Sequence, residues 1–124
     1  MAKILLVDDE TEFVEMVAFR LAKAGYEVTT AADGEAGLAQ ARALHPDLVL
    51  LDIWMPKKDG YQVIQELKGS AETAAIPVLF LTASTLPQTL EKIKAAGAAD
   101  YILKPFDPPA LMNKIKTILE QKHV

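Results

Sequence analysis

The chemistry this chain can offer stands at the ends of its apolar runs. Ile4-Leu5-Leu6-Val7 runs directly into three acids, Asp8-Asp9-Glu10. Three other runs end at Asp52, at Thr82-Ala83-Ser84 and at Lys104-Pro105. Adjacent carboxylates repel one another and are costly to hold near a core unless something positive meets them. Asp8, Asp9 and Asp52, with no histidine or cysteine among them, make an oxygen-only donor set. Such a set suits a hard cation such as Mg2+, which keeps several of its waters. The Lys104 ammonium and the Thr82 hydroxyl add charge neutralisation and donors for the equatorial oxygens of a transferring phosphoryl group. Cysteine is absent and histidine is confined to His45 and His123, so the nucleophile left for that chemistry is a carboxylate.

These groups meet only if the runs before them are parallel neighbours. The run Lys3 to Val7 has no polar alternation, as a strand buried on both faces requires. Asp47 to Asp52, Ile76 to Leu81 and Ala99 to Leu103 read as further strands, with Pro77 at an entrance where a missing N–H matters least. Tyr26 to Ala31 carries more polar residues, as an edge strand does. Helical patterns lie between the strands. The first runs from Thr11 to Ala24, with Phe13, Met16, Val17, Leu21 and Ala24 on one face and Gly25 beyond its end. The second, Glu35 to Leu44, follows the turn Asp33-Gly34 and stops at His45-Pro46. Asp59 and Gln62 form a capping box for the third, which ends near Lys68. The fourth spans Gln88 to Ala96, and Asp107-Pro108-Pro109 opens the fifth, which runs to about Gln121.

Strict β-α alternation predicts a parallel sheet with helices on both faces and right-handed crossovers. All strand ends then share one rim, where such sheets bind their ligands. The length of 124 residues suits a single domain over 1–124, and 51% hydrophobic residues suffice for its core. A net charge of −4 argues against sequence-independent nucleic-acid binding, and no apolar run is long enough to span a bilayer. The expected location is the cytoplasm.

The acid pair Asp8-Asp9, the strand end Leu50-Leu51-Asp52, Met55-Pro56 with Asp59-Gly60, Thr82-Ala83 and Lys104-Pro105 stand in one order along the chain. In this ordered set the chain resembles the CheY-like receiver domain of two-component response regulators, over essentially its whole length. The resemblance implies a flavodoxin-like, doubly wound five-stranded parallel sheet in the order 2-1-3-4-5 with five helices. It implies that Asp52 takes a phosphoryl group from the phosphohistidine of a sensor histidine kinase or a phosphotransfer protein. Asp9, Asp52 and the main-chain carbonyl of Trp54 are then ligands of Mg2+ (or Mn2+), with Asp8 assisting through water. Lys104 and Thr82 are the partners of the phosphoryl oxygens, Thr82 and Tyr101 form the switch, and the Lys104-Pro105 peptide is cis. The surface formed by helix four, strand five and helix five is expected to dock a downstream effector or to form a homodimer. No direct nucleic-acid binding and no membrane partner are expected. Trp54, two residues beyond the acceptor, is expected to hinder water and slow hydrolysis of the acyl phosphate; Ser84 faces the same water.

Other readings stand beside this one. A haloacid-dehalogenase-like Mg2+-dependent phosphatase also forms an aspartyl phosphate, but needs acids two apart followed by Thr, which Asp8-Asp9-Glu10-Thr11 does not supply. A flavodoxin-like nucleotide or FMN binder needs a donor-rich phosphate loop where this chain is acidic. A degenerate receiver acting as a scaffold would keep the fold and lose the chemistry. Single residues also have plainer explanations. Asp9 can cap the first helix with Glu12 as its partner, Tyr101 can be packing, and His45, His123, Lys57, Lys58, Lys92, Lys94, Lys114 and Lys116 can be solvated surface.

Overall fold

The computed structural model describes residues 2–84 and 86–122; His123 lies outside them. Ten elements alternate: β1 (Lys3–Val7), α1 (Thr11–Lys23), β2 (Glu27–Ala31), α2 (Gly34–Leu44), β3 (Leu48–Asp52), α3 (Gly60–Lys68), β4 (Val78–Thr82), α4 (Pro87–Ala95), β5 (Asp100–Leu103) and α5 (Pro108–Lys122). The strands form one sheet in the order β2-β1-β3-β4-β5, and all pairings are parallel.

The unbroken apolar runs are explained by two cores, one on each face of the sheet. Along a strand, successive side chains point to opposite faces. Leu5, Val7, Val49, Leu51, Val78 and Phe80 therefore pack with α2, α3 and α4. Ile4, Leu6, Leu48, Leu50, Leu79 and Leu81 pack with α1 and α5. Burial on both sides leaves these strands polar residues only at their ends, Lys3, Asp52 and Thr82. The edge strand β2 is only half-buried, as its polar residues require.

Most boundaries move by a residue or two. Asp59 and Gln62 close the capping box at α3, each accepting the other's backbone N–H at 2.9 Å. Gly25, with φ +97°, takes the left-handed turn just beyond α1, a conformation glycine adopts without strain. β4 starts at Val78, because the Pro77 carbonyl accepts the Val49 N–H as the chain enters the sheet. Met16, expected on the buried face of α1, is 44% exposed. Val17 and Leu21 are the buried residues of that face, and Phe13 and Val14 pack partly buried against the same core. Among the described residues no helix is long and apolar enough to cross a membrane.

Candidate functional site

Register brings the strand ends together. Val7 pairs with Leu51, so Asp8 and Asp52 leave β1 and β3 side by side, on strands about 4.8 Å apart. Thr82 pairs with Leu103, and the Lys104 N–H donates to the Thr82 carbonyl at 2.6 Å. The exit of β5 is thereby fixed to the exit of β4, and Lys104 reaches back across the rim.

Its ammonium sits in the acid cluster. Lys104 Nζ donates to Asp8 Oδ2 at 2.7 Å and to Glu10 Oε1 at 3.1 Å, and stands 3.7 Å from Asp52 Oδ1. The Phe13 ring lies 4.4 Å from the same nitrogen and is packed edge-on against Phe106, so an aromatic face closes the fourth side. Asp8 is fully buried, and its other oxygen accepts the Glu10 N–H at 3.0 Å. One carboxylate oxygen from each of Asp8, Glu10 and Asp52 can be chosen so that all three lie within 4.8 Å of one another.

Glu10 stands in this cluster where Asp9 was expected. The cause is local. Glu10 is still extended, with φ −86° and ψ 96°, so the two-residue alternation of β1 persists past its end. Asp8 and Glu10 therefore share a side, and Asp9 is exposed. Nor does Asp9 cap α1: the cap position is Glu10, and it makes no side-chain cap bond.

The cluster sets the charges of its members. Burial, and next the charge of Asp8, push the Asp52 carboxyl from an ordinary 3.8 up to about 6, although Lys104 and the Ile53 N–H pull the other way. Burial alone would lower the Lys104 ammonium; the Asp8 hydrogen bond and the charges of Asp52 and Asp8 outweigh it and hold it above the usual lysine value.

The loop after Asp52 is held from beneath by α3. The Gly60 N–H donates to the Ile53 carbonyl at 2.6 Å, and a Cβ on Gly60 would lie 2.6 Å from the Asp52 carbonyl oxygen. Trp54 is 70% exposed and rests edge-on against Tyr61, ring centroids 6.3 Å apart. Tyr61 in turn packs on Phe80 and lies under the Lys92 ammonium at 4.2 Å. Thr82 is buried, and its hydroxyl oxygen accepts the Ser84 N–H at 3.1 Å. Ser84 meets the Thr89 hydroxyl at 3.1 Å. Tyr101 is half-buried against the core beside α4, with the Lys114 ammonium 5.5 Å from its ring and bonded to Asp100 at 2.9 Å. Lys58 pairs with Glu66 at 2.7 Å, so Lys58, Lys92 and Lys114 all hold partners. His45 is exposed at the end of α2. The Lys104-Pro105 peptide is cis.

The family model described as response regulator receiver domain matches residues 4–116. The chain belongs to this family. Receiver domains are phospho-accepting signalling switches of two-component systems and bind Mg2+ at an acidic pocket. The receiver is 42% identical over 98% of its length to the DNA-binding dual master transcriptional regulator RpaA of Synechocystis sp., and 38% identical over 98% to the alkaline phosphatase synthesis transcriptional regulatory protein PhoP of Bacillus subtilis. It spans half the length of each. The solved structure of Vibrio cholerae chemotaxis protein CheY4 matches with a TM-score of 0.90 at 36% identity, covering 95% of this receiver and 98% of that chain.

These relatives correct one expectation. The net charge alone argues against direct nucleic-acid binding, yet RpaA is by name a DNA-binding regulator and PhoP a transcriptional one. The net charge of −4 belongs to 124 residues. In relatives twice as long it says nothing about the half that has no counterpart here.

Proposed function

We propose that this receiver, as a single domain over 1–124, takes a phosphoryl group onto Asp52 and uses it to switch an output. The observation that carries this reading is the Lys104 ammonium held among Asp8, Glu10 and Asp52 at one sheet rim. An Asp52 oxygen attacks the phosphorus of a phosphohistidine. The P–N bond breaks, the imidazole leaves with its electron pair and takes up a proton, and an acyl phosphate remains on Asp52. Lys104 turns from Asp8 toward the incoming phosphoryl oxygens, and the Thr82 hydroxyl donates to another. Asp9, Asp52 and the Trp54 carbonyl would hold the Mg2+, with Asp8 assisting through water; Asp9 would turn inward to do so, since Glu10 already serves Lys104. When bound, the cation would supply neutralisation of the phosphoryl charge. Thr82 and Tyr101 pass the change to the surface of α4, β5 and α5. The transcriptional relatives support DNA binding as the output so controlled.

Phosphoramidate, a small donor with a P–N bond, tests this by 31P NMR. An acyl-phosphate resonance that requires Mg2+ and is absent in Asp52→Asn is expected. Steady release of phosphate from an external phosphomonoester, with no such resonance, would point to a hydrolase instead.

A further inference from the structure

The outer face of α1 carries a pattern that the phosphoryl site does not use. Glu12, Glu15, Met16, Phe19, Arg20 and Lys23 line one wall of a groove of about 880 Å3, and the first turns of α5 line the other. Met16 is 44% exposed and Phe19 63%. The spacing of the six places them in one stripe along the helix. Two acids come first, then two apolar residues, then two bases.

This order is its own complement when reversed. Glu12 maps onto Lys23, Glu15 onto Arg20 and Met16 onto Phe19, and every pair has its midpoint between Val17 and Ala18. A copy of α1 laid antiparallel about that point sets each acid opposite a base and Met16 opposite Phe19. We propose that this stripe is a two-fold interface between two copies of the chain. In a two-fold interface residue i meets residue j and j meets i, the relation these six positions satisfy. The stripe is also neutral, two acids against two bases, on a chain of net charge −4, so two copies meet on a face free of the overall repulsion. The Lys23 ammonium, 5.4 Å from the Phe19 ring, widens the apolar centre with its stem. One helix face per copy is a small interface, so the dimer is weak, with a dissociation constant on the order of 0.1 mM.

Sedimentation equilibrium of the chain from about 10 µM to 1 mM spans that range. A monomer–dimer equilibrium is expected. Glu15→Arg and Arg20→Glu, each alone, weaken it by about tenfold or more, because each sets like charges opposite one another twice. The double variant Glu15→Arg/Arg20→Glu restores it to within about twofold, and Phe19→Ala weakens it by about tenfold. All these positions are exposed, and unchanged urea midpoints confirm that the variants fold. A monomer throughout, a dimer indifferent to the single reversals, or a double variant that fails to recover overturns the proposal. So does a monomer whose stripe is covered only by a helix of another protein.

Discussion

Asp52 is held at a cost. Its carboxyl titrates near 6 because burial and the charge of Asp8 oppose its ionisation. The unfolded chain returns it to about 3.8, so the folded state binds that proton more tightly. The penalty is absent below pH 4, grows between pH 4 and 6, and is complete above. A rise from 3.8 to about 6 would correspond to about 3 kcal/mol without screening, and the solvent that still reaches Asp52 reduces this to about 1–2 kcal/mol. Asp52→Asn is therefore expected to be more stable than the parent in urea unfolding at pH 8, with the gain vanishing at pH 4. A gain of equal size at both pH values would contradict the assignment. If Mg2+ binds at this cluster it relieves the same repulsion, so it is expected to stabilise the parent by mass action and Asp52→Asn far less. At Asp9 and Glu10, Mg2+ titration followed by Trp54 fluorescence separates two roles. Asp9→Asn is expected to weaken binding by about tenfold or more and Glu10→Gln by less, because Lys104 already neutralises Glu10; the reverse order would make Glu10 the ligand. For Trp54 the expectation of slow acyl-phosphate hydrolysis stands as a proposal. The half-life of the phosphorylated form in Trp54→Asn tests it, and an unchanged half-life sinks it. Residue types disclosed the cluster, but not which of two adjacent acids enters it. That choice depends on the backbone remaining extended through Glu10, which composition does not reveal.

At the scale of elements, the loop that carries the Trp54 carbonyl depends on α3. Asp59 caps that helix and Gly60 lets it approach the backbone of Asp52 and Ile53. A methyl group on Gly60 would meet the Asp52 carbonyl oxygen, the Ile53 Cα and the Phe80 ring, all under 3.0 Å. Gly60→Ala is expected to cost about 2 kcal/mol or more and to weaken Mg2+ binding with it, whereas Asp59→Ala costs about 1 kcal/mol. Urea midpoints check both. The capping box was legible because its two side chains lie three residues apart on one turn. The exposure of Met16 was not, since the 3.6-residue period allows it on either border of the buried face. Which face it borders is settled by α5, a hundred residues away in the chain.

For the whole molecule, alternating elements foretold the parallel sheet, and strand order followed from the resemblance rather than from periodicity. Apolar runs such as Leu48 to Leu51 fit any central strand equally well; only pairing decides that β1 lies between β2 and β3. That order places Asp8 beside Asp52 and so creates the site. The partner assignment erred at this same scale, because charge counted over 124 residues is silent about relatives twice as long. The central claim is that Asp52, within this cluster, is a Mg2+-dependent phosphoryl acceptor. Intact mass after incubation with acetyl phosphate, with and without Mg2+, on the parent and on Asp52→Asn, tests it most directly. A single phosphoryl adduct that requires Mg2+ and disappears in Asp52→Asn is the result expected; an adduct that persists in Asp52→Asn, or none in the parent with Mg2+ present, would contradict it.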